Sequence, residues 1–107
     1  MRYNIYLISD AEDDLLELFE YVEKHDSPEK AVQLLDKIES TCRSLSELAH
    51  RGHTPPELER IGVFEFQEIH FKPYRIIYQI IDKAVYIHCI LDGRRDLQEL
   101  LQQRLLR

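Results

Sequence analysis

The stretch that most constrains this chain lies between residues 63 and 91. There three β-rich segments are separated by only two residues at a time. Val63–Phe71, Tyr74–Ile81 and Ala84–Leu91 are dense in β-branched and aromatic side chains, the types that fit a pleated surface. Lys72-Pro73 divides the first pair and Asp82-Lys83 the second. Breaks that short permit only antiparallel hairpins, because a parallel crossover needs a dozen residues or more. Within the first segment the apolar phase shifts, from Phe64 and Phe66 to Ile69 and Phe71, which reads as a β-bulge.

The first half of the chain has a different period. Residues 3–8 form a short β-rich run, and Ser9-Asp10-Ala11-Glu12 then has the pattern of a capping box, with Asp13 and Asp14 favouring the positive end of a helix dipole. Ala11, Leu15, Leu18, Phe19 and Val22 recur on one face of a helix of about four turns. Lys24-His25-Asp26 ends it, and Ser27-Pro28-Glu29 opens a second helix with an N-cap, a proline at the first helical position and an acid. Its stripe is Ala31, Leu34, Leu35, Ile38, Cys42, Leu45 and Leu48. Two such helices make a hairpin with one buried seam. Residues 49–62 form a loop with a helical turn near Glu57–Arg60, and a third helix is expected from about Arg94, with Leu97, Leu100, Leu101 and Leu105 on one face.

The order β-α-α-β-β-β-α makes an α+β domain, in which the helical hairpin covers one face of a small antiparallel sheet and leaves the other partly open. A chain of 107 residues is one domain's worth, so a single domain over 1–107 is expected. At that size roughly 65% of the unfolded surface is buried, enough to fold without metal or disulfide staples. Cys42 and Cys89 lie inside predicted elements without CxxC spacing and read as small buried hydrophobes. No apolar run approaches the ~20 residues that span a bilayer, and the N-terminal run is too short for a signal peptide. These features lead to an expectation of a cytoplasmic protein with no membrane partner.

Charge separates the two halves. Residues 1–50 hold twelve acidic against five basic residues, and residues 51–107 hold eight against nine, within a net charge of −6. An anionic partner would therefore meet the C-terminal half.

The element order and five local pieces together resemble the RelE/ParE toxins. The pieces are Ser9, Ala11, Asp14 and Leu15 after the first strand, Ala31 to Leu48, Arg51-Gly52 followed by Pro56-Glu57-Leu58, Tyr74-Arg75-Ile76-Ile77-Tyr78, and Ile90 to Asp96. The terminal LLQQRLLR is similar to tails of ParE-like members. Two departures stand out: this chain is acidic where many members are basic, and it has Asp92 where members often carry histidine. The resemblance implies a toxin of a type II toxin–antitoxin system, held silent by a cognate antitoxin and without a cofactor. ParE-like members inhibit DNA gyrase by protein contact, and this branch is preferred. RelE-like members act with the ribosome to cut mRNA. A third reading is a non-toxic module that only partners an antitoxin-like regulator.

Cleaving RNA through its own 2′-hydroxyl needs a base, an acid and positive charge on the phosphorane. Arg75 is the candidate for the charge, since its planar fork fits phosphate oxygens. Its alternative is an ion pair across the sheet to Glu65 or Glu68. Glu68 and His70 alternate with Ile69 and share a face, so either could be the base, with a solvated polar face as the simpler reading. Arg94 and Arg95, placed at the start of the last helix, form a candidate anion or target-binding site. Here the local pairs Arg95–Asp96 and Arg95–Glu99 are the alternative. His88 reads as a hydrogen-bonded structural histidine, and Tyr74 and Tyr78 as core. His25, His50 and His53 lack metal-ligand spacing, so no metal is expected. No close lysine and arginine cluster suited to an rRNA surface is present, which favours the branch that does not cut RNA.

Overall fold

The computed structural model of the protein describes residues 2–106. In chain order the elements are β1 (Asn4–Leu7), α1 (Ser9–His25), α2 (Pro28–Arg43), α3 (Pro56–Glu59), β2 (Gln67–Phe71), β3 (Tyr74–Ile81), β4 (Ala84–Asp92) and α4 (Gln98–Leu105). Two 3-10 turns, Ser44–Ser46 and Ala49–Arg51, follow α2.

The strands form one sheet in the order β1-β4-β3-β2. The two short connections make the expected antiparallel hairpins, β2 with β3 and β3 with β4. The expectation of a wholly antiparallel sheet does not hold, because β1 runs parallel to β4, from Asn4 opposite Ala84 to Leu7 opposite Ile87. A strand so far from its neighbour in sequence is free to pair in either direction, since the intervening helices supply the crossover.

Helix starts follow the same local logic with one exception. Ser27 caps α2 as its residue type dictates, its Oγ accepting from Lys30 N–H at 3.1 Å. Ser9 does not cap α1. Ile8 still belongs to the sheet, its N–H donating to Ile87 O at 3.0 Å, while its carbonyl accepts from Glu12 N–H at 3.0 Å. The helix thus starts directly out of the strand, with Ile8 as N-cap and Ser9 already helical.

Both faces of the sheet are covered. On one, α1 and α2 bury Ala11, Ile38 and Cys42 against Ile69, Ile76, Tyr78, Val85, Ile87 and Ile90. On the other, Leu58 of α3 and Leu97 and Leu101 around α4 pack with Phe66 on Ile77, Cys89 and Leu91. The second face is therefore less open than the sequence implies. Truncating one of these fully buried aliphatic side chains to alanine should cost about 2–5 kcal/mol.

The phase shift seen in the first β-rich segment is not a bulge. Residues 63–66 lie outside the sheet, with Phe64 exposed and Phe66 buried in the second cluster, and β2 begins only at Gln67. The irregularity falls instead in β4, where His88 is an extra residue between Ile87, opposite Tyr78, and Cys89, opposite Ile77. That extra residue lets Ile87 and Ile90 both face α1 and α2. Nor does the last helix begin at Arg94. Residues 93–97 are a turn held by Asp92 and Asp96, and α4 starts at Gln98.

Beyond Ile87, β4 has no neighbour on its β1 side, and side chains take over there. Asp14 of α1 accepts from Ile90 N–H at 3.0 Å, and Arg104 of α4 donates to His88 O at 2.9 Å. Arg104 and Asp14 close the set with bonds of 3.1 and 2.9 Å.

Candidate functional site

Antiparallel pairing puts His70 opposite Arg75 and Glu68 opposite Ile77, so Glu68, His70 and Arg75 lie on the face covered by α3 and α4. The structure thus brings together all three residues proposed for RNA chemistry. Their environment differs from the solvated face the sequence implies, because Glu68 is 1% exposed.

Arg75 is clamped between two carboxylates. From α3, Glu57 accepts Nη1–H at 2.6 Å and Nη2–H at 2.7 Å. From β2, Glu68 accepts Nε–H at 2.7 Å and Nη2–H at 3.0 Å. Four of the five guanidinium N–H donors are thereby engaged. The ion-pair alternative is the one observed, with Glu68 rather than Glu65, and Glu57 is a partner that the sequence reading missed. The PEL piece of the loop was its only sequence signal. Hydrogen bonding to Glu57, reinforced by Glu68 and opposed by burial, raises the Arg75 pKa, and the same Arg75 contacts lower that of Glu57. A phosphate arriving here would meet one positive and two negative charges.

Two glycines make this packing possible. A Cβ on Gly52 would collide with the Tyr78 hydroxyl and stand 2.7 Å from Glu68 O. One on Gly93 would lie 2.8 Å from Arg75 Cγ and 2.9 Å from Pro73 O. Tyr78 is fully buried as expected, donating to Ala49 O at 2.8 Å.

His70 sits at the surface of the cluster, its Nε2 at 2.9 Å from Glu68 Oε1. His53 approaches from the preceding loop, with Nε2 at 3.3 Å from Glu68 Oε2. Sequence spacing could not reveal this, because the three residues meet only through the β2 edge.

A concavity of about 300 Å³ is lined by His70, Lys72, Pro73, Tyr74, Arg75, Gly93 and Arg94. Arg94 is exposed and chelates Asp92, with Nε at 3.0 Å from Oδ1 and Nη2 at 2.7 Å from Oδ2. Side-chain bonding to Arg94 lowers the Asp92 pKa to about 2. The position where histidine is common thus holds an ionised carboxylate that has no proton to give a leaving oxygen near neutrality. Arg95 is exposed on a neighbouring depression with Tyr21 and Tyr74. Neither arginine stands at a helix N-terminus, so the anion site expected on that basis is absent.

His88 also departs from expectation. Its ring packs edge-on against Phe66 with centroids 5.3 Å apart, and its buried Nε2 has no hydrogen-bond partner among the described residues. Burial foremost, with Arg104 nearby, lowers its pKa.

Away from the sheet, α1, α2 and β1 border an apolar groove of about 570 Å³ lined by Ile5, Leu7, Leu15, Leu16, Phe19 and Leu35, among others. Among the described residues no helix is long and apolar enough to cross a membrane.

A family model described as the ParE toxin of the type II toxin–antitoxin system parDE matches residues 5–97. Two solved structures share the fold. One is titled as the chromosomal ParDE toxin–antitoxin system from P. aeruginosa, with a TM-score of 0.72 and 18% identity, covering 85% of this chain and 96% of that one. The other is the toxin–antitoxin complex RelBE2 from Mycobacterium tuberculosis, with a TM-score of 0.64 and 18% identity, covering 86% and 92%. No curated protein matches the sequence.

Proposed function

We infer that this chain, which belongs to the ParE toxin family of type II toxin–antitoxin systems, acts in the cytoplasm by binding DNA gyrase rather than by cutting RNA. The observation that carries this reading is the state of Arg75. A phosphorane needs an uncommitted cation, and Arg75 is held by Glu57 and Glu68 through four hydrogen bonds. Asp92, ionised beside Arg94, adds to the case, since it cannot serve as the acid. What remains accessible is the turn bearing Arg94 and Arg95 and the outer side of α4, where Gln102 and Gln103 are exposed. On this reading these surfaces contact the target.

The antitoxin would occupy the groove beside β1. Its lining is mostly apolar, and Leu16 stands 56% exposed within it. An amphipathic helix or an extended segment that buried this surface would gain roughly 25 cal/mol per Å² of apolar area. β1 borders the groove and ends the sheet, so an added strand is also accommodated. Leu106, just after α4, is also exposed, while Arg107 lies outside the described residues.

The test is a supercoiling assay with purified gyrase and relaxed plasmid. Inhibition by the chain, reversed by its antitoxin, is expected. Unimpaired supercoiling together with cleavage of mRNA on purified ribosomes would replace this reading with the ribonuclease one.

A further inference from the structure

The backbone places three metal-competent side chains at one point on the β2 edge. His53 and Glu68 form an isolated antiparallel bridge, with His53 N–H donating to Glu68 O at 3.1 Å and Glu68 N–H to His53 O at 2.7 Å. Residues directly opposite in such a bridge project to the same side of the sheet. His70, two residues along β2 from Glu68, projects to that side as well. The two imidazoles and the carboxylate therefore converge for a reason built into the strand pairing.

The donor atoms of His53, Glu68 and His70 all lie within 4.8 Å of one another. Bonds of ~2.0–2.1 Å to a tetrahedral ion would require spacings of roughly 3.3–3.5 Å. The 2.9 Å contact of His70 with Glu68 must therefore open slightly and the wider separations close, adjustments that rotation of the two exposed imidazoles can supply. Their side chains are 60% and 42% exposed, so an ion can enter from solvent, while the carboxylate is anchored in the interior.

Arg75 does not forbid this. Each Glu68 oxygen accepts one N–H from Arg75 and turns its remaining side to a histidine. An ion would replace the histidine contacts and leave the arginine contacts in place. The charge is favourable too, because Glu57 and Glu68 together exceed the single charge of Arg75 by one.

We propose that His53, Glu68 and His70 form a binding site for a divalent first-row transition ion of the zinc type. Two imidazoles and one carboxylate suit such borderline ions better than Mg²⁺ or Ca²⁺, which take oxygen ligands. Three protein ligands leave a fourth position open to water or to a group on a bound partner. The ion would tie the loop around His53 to β2 and so brace the Arg75 clamp from outside. This site does not depend on the gyrase reading.

The experiment is a calorimetric titration of the tag-free full-length chain with Zn²⁺ near neutral pH, paired with the visible spectrum of the Co²⁺ form. One ion per chain and a four-coordinate Co²⁺ spectrum are expected. Changing even an outer-shell partner of a metal site costs ~10–100-fold, so H53Q or H70Q should each weaken binding at least about tenfold, and the double variant should abolish it. Both positions are exposed, and circular dichroism confirms that the variants fold. H50Q, in the same region but outside the cluster, should bind as the unmodified chain does. Absence of Zn²⁺ and Co²⁺ binding, or binding undiminished in the double variant, overturns the proposal.

Discussion

Asp14 on α1 and Arg104 on α4 meet at the rim of β4, joining helices from opposite faces of the sheet through bonds of 3.1 and 2.9 Å. Both also bond the backbone of the strand between them, Asp14 to Ile90 N–H and Arg104 to His88 O. Their side chains are only 11% and 17% exposed, and Arg104 has a second, longer ion pair to Asp10 at 3.7 Å, so Asp14 without Arg104 is the more poorly compensated charge.

Arg104→Ala should therefore destabilise the chain by about 3–5 kcal/mol, the range for breaking a buried pair, because it strands Asp14. Urea unfolding measures this. Arg104→Met combined with Asp14→Asn should recover part of the loss, because the two least exposed charges of the rim are then removed together. A double variant no better than the worse single one would mean that packing, and not charge, holds the rim.

Arg75→Ala should cost a similar ~3–5 kcal/mol, since it strands Glu57 and buried Glu68. Loss of toxicity in that variant alone would consequently not identify a catalytic arginine. The decisive variant is the neutral triple, Arg75→Met with Glu57→Gln and Glu68→Gln. If it folds, it should still inhibit gyrase within about threefold, an effect of less than 1 kcal/mol. A folded triple variant without inhibition would place Arg75 in the functional surface.

His88 and Glu57 shape separate parts of the response to acid, Asp92 adding to it only at lower pH. His88 has its folded pKa below the ordinary 6.5, so its contribution is fully present above 6.5 and is lost as pH falls through the lowered folded value. Glu57 has its folded pKa below 4.5, so its contribution is present above 4.5 and is lost at still lower pH. His88→Phe should flatten the first limb of a stability–pH curve and Glu57→Gln the second, in chemical denaturation at a series of pH values. Unchanged limbs would remove these residues from the account.

Leu16→Glu should leave folding intact and weaken antitoxin binding about 10–100-fold, because burying a leucine side chain contributes ~1.5–3 kcal/mol. Titration with the cognate antitoxin reads this directly. Full affinity would move the antitoxin off the groove.

Features with local causes were legible in the sequence. The hairpins followed from two-residue breaks, the α2 cap from Ser27-Pro28, and the core stripes from their periods as far as Leu45. The α2 stripe was expected to reach Leu48, but the helix ends at Arg43 and Leu48, beyond the 3-10 turn, is exposed. What depended on distant partners was not. Ile8 displaced Ser9 as the cap because the sheet claimed its N–H, and β1 chose its direction through a crossover no local pattern records. At the site, Glu68, His70 and Arg75 were found together as expected, since cross-strand register is fixed by the hairpin. Glu57 joins them from the short helix α3 and His53 from the loop before it, and neither segment announces in sequence which strand it will cover.

The most direct test of the central claim follows labelled thymidine and labelled amino acid in one culture after brief induction of the chain without its antitoxin. Inhibition of gyrase predicts that thymidine incorporation falls first while protein synthesis continues. An earlier fall in amino-acid incorporation would contradict it and point to mRNA cleavage. Undiminished growth and incorporation would contradict it as well, leaving a module that binds an antitoxin without being toxic.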